Sequence, residues 1–442
     1  GRRRAGLPGA ALREVRVARA WLWAQAASDA ALAAARAPGD PVDPQFFKAK
    51  VDWFAQRNPP LGAGESTHFG RVAWVNRFAL FEPFDSLPTT PALACEPSQS
   101  LLMGRFDLRI FPASTFNGTP AFCSSLEASP LSVEVRKRDP DTVWASGDSL
   151  GLLLDYAERH FDPARGNRTV VFLGTEYPLS AAFGRTDAER ADAVASLRRY
   201  FSRISYQTKD IELEGVHLAP MGFSWGYLGE VVLRWMFYPE PYKAFREWAE
   251  TLWLRTGTHT KVRGVLAAWG KSASWIESEW TRQRLADLSG QGLLFPPSNS
   301  SPAVLRAARK SREELRRFCD SPQAHEARVD RMQLDYPEWW QELPKYRFVL
   351  CPLGAGIQTA KTMEALYALT VPVVQRMGFA AFDELAALGF PIVVVERWEE
   401  VSAATVAAWW ERLSPRLVSF RRNCLSVDGW WRIYTGQVAR CA

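Results

Sequence analysis

The chain's 442 residues carry 54 Lys and Arg against 48 Asp and Glu, a net charge of +6, and 47% of them are apolar. That length allows two domains with cores of their own, and the composition excludes an intrinsically disordered chain. The basic excess lies in scattered arginines, which excludes a nucleic-acid arm, and no run of 18 or more uncharged apolar residues offers a membrane span.

In chain order, residues 1–37 are rich in Ala and Arg with the apolar spacing of a helical face, and the turn residues of 38–44 end it. Residues 1–45 are therefore expected as a helical stem or lead-in. Short β-like runs follow at 71–83, 105–114 and 131–138, separated by Pro, Ser and Thr. An amphipathic helix over 149–161, a buried strand within 167–178, a helix over 187–201 and β-like stretches near 202–206 and 215–225 continue the order. The Trp-rich stretch 230–257 reads as mostly helical, and the domain break is placed near 255.

Beyond it, the alternation of strand and helix is cleaner. A strand within 260–272 is followed by helices at 275–288 and 303–318, with a loop between them. A helix at 336–343 then leads to strand 347–352, helix 359–369, strand 371–375, helix 380–388, strand 391–395 and helix 402–413, with a helical or mixed tail. Such βαβ order predicts an α/β fold of two Rossmann-like lobes, residues 46–255 and 256–442, each a mostly parallel sheet covered by helices.

None of the six cysteines forms a C-x-x-C pair, so a zinc site is not expected. Cys95 and Cys123 bracket a loop-rich stretch in which an oxidising compartment would permit a bridge. Half of the six asparagines, Asn117, Asn167 and Asn299, stand in Asn-x-Ser/Thr sequons, which points towards the secretory pathway. The nineteen tryptophans can stack on sugars, but most are expected in the core. Two motifs are missing: a G-x-x-x-x-G-K-[ST] phosphate loop and an H-E-x-x-H pair. "GAGIQT" ends in Thr, which argues against a nicotinamide dehydrogenase.

Chemistry concentrates at 348–375, "FVLCPLGAGIQTAKTMEALYALTVPVVQ". An apolar strand runs into a turn with Gly354 and Gly356, which leaves room for a ligand to approach. The following helix opens with Thr359, Lys361 and Thr362, and its N-terminus favours a phosphate. Lys361 can neutralise a diphosphate. Glu364, one turn on, can accept hydrogen bonds from vicinal ribose hydroxyls. The competing account is a tight turn with a solvated helix glutamate.

Taken together, Pro352, Gly354, Gly356, Lys361, Met363, Glu364-Ala365-Leu366 and Val371-Pro372-Val373-Val374 resemble the C-terminal signature of exostosin-type glycosyltransferases of GT-B architecture. The resemblance covers roughly 335–400 and includes "YPEWWQELPKYRF" at 336–348 as a lead-in helix. Residues 261–271 with "TRQRL" at 281–285 are similar less specifically. This chain departs from the family where Gln358 replaces a common Asp and where Ala360 replaces a common His or Cys.

The resemblance implies transfer of a sugar from a nucleotide-sugar, a UDP-sugar before a GDP-sugar, to a hydroxyl of a glycan or glycoprotein. Donor contacts would come from Gly354, Gly356, Gln358, Thr359, Lys361, Thr362 and Glu364, with Lys271 and Arg282 or Arg284 supplying the remaining charge. The resemblance implies no metal and no cofactor, since GT-B enzymes commonly stabilise the leaving diphosphate with side chains and a helix N-terminus; the one Asp-x-Asp, Asp139-Pro140-Asp141, stands far from 348–375 in the sequence. An inverting transfer needs a base, and Glu176, in the loop after the strand at 169–173, is the candidate, with His160, His217 and Asp210 behind it. The alternative is a non-catalytic relative that keeps nucleotide or glycan binding; an epimerase-like enzyme is a third reading. The Golgi lumen is the expected location, with any membrane attachment through a segment outside this chain.

Overall fold

The computed structural model describes residues 105–110, 133–135, 137, 139–147, 149–173, 177–222, 256–269, 275–288, 300–334, 336–425 and 427–441. The stem at 1–45, the run at 71–83, the Trp-rich stretch at 230–255, Cys95, Cys123, Asn117 and Asn299 lie outside them, as do Glu176 and Lys271.

The described residues form two sheets. In the N-terminal lobe, β1 (Leu108–Ile110), β2 (Val133–Val135), β3 (Thr142–Ser146), β4 (Arg168–Leu173), β5 (Phe201–Tyr206) and β6 (Val216–Leu218) stand in the order β2-β1-β3-β4-β5-β6. β2 runs antiparallel to β1, and the other neighbours are parallel. Helices α1 (Leu150–His160), α2 (Leu179–Ala182) and α3 (Asp187–Arg198) make the crossovers. β4 is buried along its whole length, as its apolar RTVVFL requires of a central parallel strand. α3 opens on a capping box in which Thr186 and Glu189 satisfy each other's backbone donors.

The C-terminal lobe contains β7 (Arg263–Ala267), α4 (Glu279–Asp287), α5 (Pro302–Cys319), α6 (Pro322–Glu326), β8 (Val329–Arg331), α7 (Tyr336–Glu342), β9 (Tyr346–Cys351), α8 (Ala360–Tyr367), β10 (Val371–Gln375), α9 (Ala381–Ala387), β11 (Val393–Val395), α10 (Ala403–Cys424) and α11 (Val427–Tyr434). Its sheet order is β11-β10-β9-β7-β8, with every pair parallel. From β7 the chain winds outward to β8, then returns to β9 on the other side and winds the opposite way. The topology therefore reverses between β7 and β9, and in open α/β sheets ligands bind outside the carboxyl ends of the strands at such a switch point.

The two-lobed α/β fold expected from the alternation is the one observed. Several elements differ in detail, among them the short helices α2 and α6, which were not expected. β3 and β8 were not anticipated, because TVWAS and VDR are too short to show a period. α10 was expected to stop at 413 but continues through Pro415 to Cys424. Leu413, Leu417, Phe420 and Cys424 prolong its buried stripe, and this packing outweighs the backbone hydrogen bond the proline removes.

The lobes are held together through the carboxyl ends of β5 and β6. Lys209 Nζ donates to Glu384 of α9 at 2.6 Å, and the Leu218 amide donates to the same carboxylate at 3.1 Å. The last helix, α11, turns back to the N-terminal lobe. Tyr434 Oη donates to Pro220 O at 2.7 Å, Arg203 Nε donates to Tyr434 O at 3.1 Å, and Phe106 meets the Trp431 ring edge-on at 5.1 Å. A disulfide between Cys424 and Cys441 ties the end of α10 to the C-terminal segment. The apolar core of the C-terminal lobe continues into Phe106, Trp144, Val171, Leu173, Leu218 and Ala219 of the other lobe.

Candidate functional site

β9 ends at Cys351, and the loop Pro352–Thr359 carries the chain to α8 at the switch point. Two side chains of α5 support that loop and its neighbour after β7. Arg312 Nε donates to Leu353 O at 3.0 Å, and Arg309 donates to Ile276 O at 2.9 Å and Ser278 O at 2.8 Å. Ser300 Oγ donates to Ala355 O at 2.6 Å. Arg312 was not among the sequence candidates, although its place between Ala308 and Leu315 on the buried face of α5 marks it as a charge drawn inward for a reason.

Gly354 does not adopt a left-handed φ; its need for glycine is space, since a Cβ would lie 3.1 Å from Thr359 Cγ2. Gly356 is buried in the same loop. Gln358 faces the other lobe. Its Nε2 donates to Gln207 O at 2.7 Å and Ala219 O at 3.0 Å, while its Oε1 accepts from the Met221 amide at 2.8 Å. An aspartate, shorter and without donors, could not make these bonds. Gln358 is thus a staple between the β9–α8 loop and the carboxyl ends of β5 and β6.

Helix α8 is buried on nearly every side, with Ala360, Thr362, Met363, Glu364, Ala365, Leu366 and Tyr367 all inside. Thr359 occupies its N-cap without a side-chain cap bond and lies 3.5 Å, oxygen to oxygen, from Thr362. Lys361 Nζ donates to Ala268 O, just past β7, at 2.8 Å, so it spans the switch point from one strand end to the other. It also sits 4.5 Å from the centroid of the Trp339 ring. Burial pulls the Lys361 ammonium down to about 8, partly opposed by Cys351 and Glu364. Burial likewise pushes the Cys351 thiol up to about 12.

Glu364 is not a solvated helix residue: it is 1% exposed. Its Oε2 accepts from Trp339 Nε1 at 2.8 Å. Trp339 on α7 is 3% exposed, and in sequence it stands out only as part of a lead-in helix. One indole therefore touches both charged residues of α8, with its face on the cation and its N–H on the carboxylate.

The remaining candidates are dispersed. Arg282 on α4 is exposed and pairs with Glu279 through its Nε at 2.9 Å; Arg284 is partly buried on the same helix. Asp210 accepts from the Ser180 amide at 2.9 Å and the Ser180 hydroxyl at 2.6 Å, and burial raises its carboxyl above the usual range. His217 is an exposed residue of β6 whose imidazole is lowered by partial desolvation, and His160 is exposed at the end of α1. Among the described residues, no group of three or more His, Cys, Asp and Glu is arranged to hold a metal ion, and no helix is long and apolar enough to cross a membrane.

No family model and no curated protein matches the chain. Among solved structures, it is similar to an alpha,alpha-trehalose-phosphate synthase (UDP-forming) from Burkholderia vietnamiensis, at 12% identity and a TM-score of 0.33, over 73% of this chain and 75% of that one. It is similar too to the N-terminal domain of a Candida albicans trehalose-6-phosphate phosphatase, at 12% identity and a TM-score of 0.31, over 68% of this chain and 71% of that one.

Proposed function

We propose that the chain is a nucleotide-sugar glycosyltransferase of the exostosin type with GT-B architecture, transferring a hexosyl or pentosyl unit to a hydroxyl of a glycan or glycoprotein. The observation that carries this reading is the joint placement of Lys361 and Glu364. They lie on one helix that opens at the switch point between β7 and β9, the lysine bridging the two strand ends. Lys361 and the N-terminus of α8 suit a diphosphate, and Glu364 suits a ribose. A UDP-sugar is preferred to a GDP-sugar, without metal or cofactor. Glu176, which follows β4 in the sequence, is the proposed base of an inverting transfer.

We place this activity in the secretory pathway, in the Golgi lumen. The Cys424–Cys441 disulfide and the exposure of Asn167 in its sequon support that location.

A second reading has its own observation. Gln358 spends its donors and its acceptor on the opposite lobe, and Glu364 is turned to Trp339. These contacts favour a relative in which the motif holds the lobes together and binds without catalysing transfer.

Thermal-shift titration with UDP, GDP, their sugar conjugates and NAD, run on the parent and on Glu364→Ala, tests the site. At about 100-fold excess over Kd a ligand specific to the native state adds about 2.7 kcal/mol of stability. The expected outcome is a rise in Tm with UDP and UDP-sugars for the parent alone. Binding without turnover of any UDP-sugar would select the second reading, and no shift with any nucleotide would overturn both.

A further inference from the structure

We infer that Trp339 is a positioning residue for the nucleotide: it aligns Glu364 through its indole N–H and seats Lys361 on its ring face, so that carboxylate and ammonium act on one ligand as a unit. The inference rests on the functional reading above and extends it to a residue of a different helix.

The geometry supports it from both sides. The 2.8 Å bond from Trp339 Nε1 takes Oε2 of Glu364, which restricts rotation about the carboxyl group and fixes where its other lone pairs point. The 4.5 Å separation between Lys361 Nζ and the ring centroid holds the ammonium over the same side chain. The Lys361 bond to Ala268 O then anchors the cation at the end of β7. Trp339 itself has little freedom, because it is 3% exposed within the core of the lobe. A ligand meeting this arrangement finds both charges already oriented and loses less conformational entropy in ordering them.

A structural tryptophan and a positioning one differ in how their loss combines with the loss of Glu364. The experiment is calorimetric titration of the full chain with UDP, on the parent, Trp339→Phe, Glu364→Ala and the double variant, with Tm recorded for each. Phe keeps a ring face for Lys361 and removes the N–H. Trp339→Phe is expected to weaken UDP binding roughly tenfold, the scale of one charge-assisted hydrogen bond. In the Glu364→Ala background the same change should have no further effect, because the group it orients is gone. Trp339→His, which restores a ring N–H, should recover part of the loss. Should Trp339→Phe fail to fold, the cycle is run with Trp339→His, whose smaller loss is again expected to vanish in the Glu364→Ala background.

Fold-changes that multiply in the double variant, or UDP binding by Trp339→Phe equal to the parent's, would overturn the inference and leave the functional reading standing. Absence of UDP and GDP binding by the parent would overturn both.

Discussion

Replacing Gln358 with leucine is the most informative single change, because it separates the binding of a ligand from the joining of the lobes. The side chain is 7% exposed and makes three hydrogen bonds across the interface, at 2.7, 2.8 and 3.0 Å. Leucine has nearly the same size and none of the polar atoms, so the bonds to Gln207 O, Ala219 O and the Met221 amide are lost together. Each of the three bonds is worth about 1 kcal/mol net, within about 0.5 kcal/mol, so a loss of about 2–4 kcal/mol is expected for local opening of the interface. Amide hydrogen exchange reads this directly, since the Met221 N–H is itself one of the donors. Its exchange should accelerate by about 30- to 700-fold, while amides within β9 stay protected to the parent's degree. A Met221 amide exchanging within about threefold of the parent's rate would refute the staple. It would mean that Lys209, Glu384 and the returning helix α11 hold the interface without it.

Two further outcomes are expected. Cys424→Ser should cost about 3 kcal/mol of unfolding free energy, since the bridge closes a loop spanning a separation of 17 residues, and reductant should lower the stability of the parent but not of the variant; equal sensitivity to reductant in both proteins would contradict this. Because burial depresses Lys361 to about 8 from its ordinary value of 10.5, the unfolded chain binds the extra proton between those pH values, and the parent's stability relative to Lys361→Met should rise with pH across that window; parallel denaturation curves for the two proteins from pH 8 to 10.5 would show that the ammonium is not desolvated.

Much of the fold was legible because each βαβ unit announces itself locally. The apolar run of β9, the Gly-containing turn, the short helix and the returning strand of β10 all fall where periodicity places them. Elements that form only by tertiary contact were not legible. VDR of β8 is a strand because β7 offers it an edge, and α10 passes Pro415 because its next two turns have a core to cover.

The same division runs through the candidate site. Residue type and spacing along 348–375 were enough to single out Lys361 and Glu364, since both lie on one helix and helical spacing is a local property. Their surroundings were not. Glu364 reads in sequence as a ribose ligand or, on the competing account, as a solvated carboxylate, yet it meets Trp339, 25 residues away, inside the lobe. Gln358 reads as a substitution within a ligand-binding turn, yet its partners at 207, 219 and 221 belong to the other lobe.

What the amino-acid sequence by itself determined is therefore the α/β class, the two-lobed order and the helix on which charge gathers, because hydrophobic period and turn chemistry act over a few residues. Only the tertiary structure decided which strand ends adjoin at the switch point, what Glu364 and Lys361 touch, and that Gln358 joins the lobes. Those contacts depend on chain segments brought together across large sequence separations, where burial sets the strength of every hydrogen bond and charge.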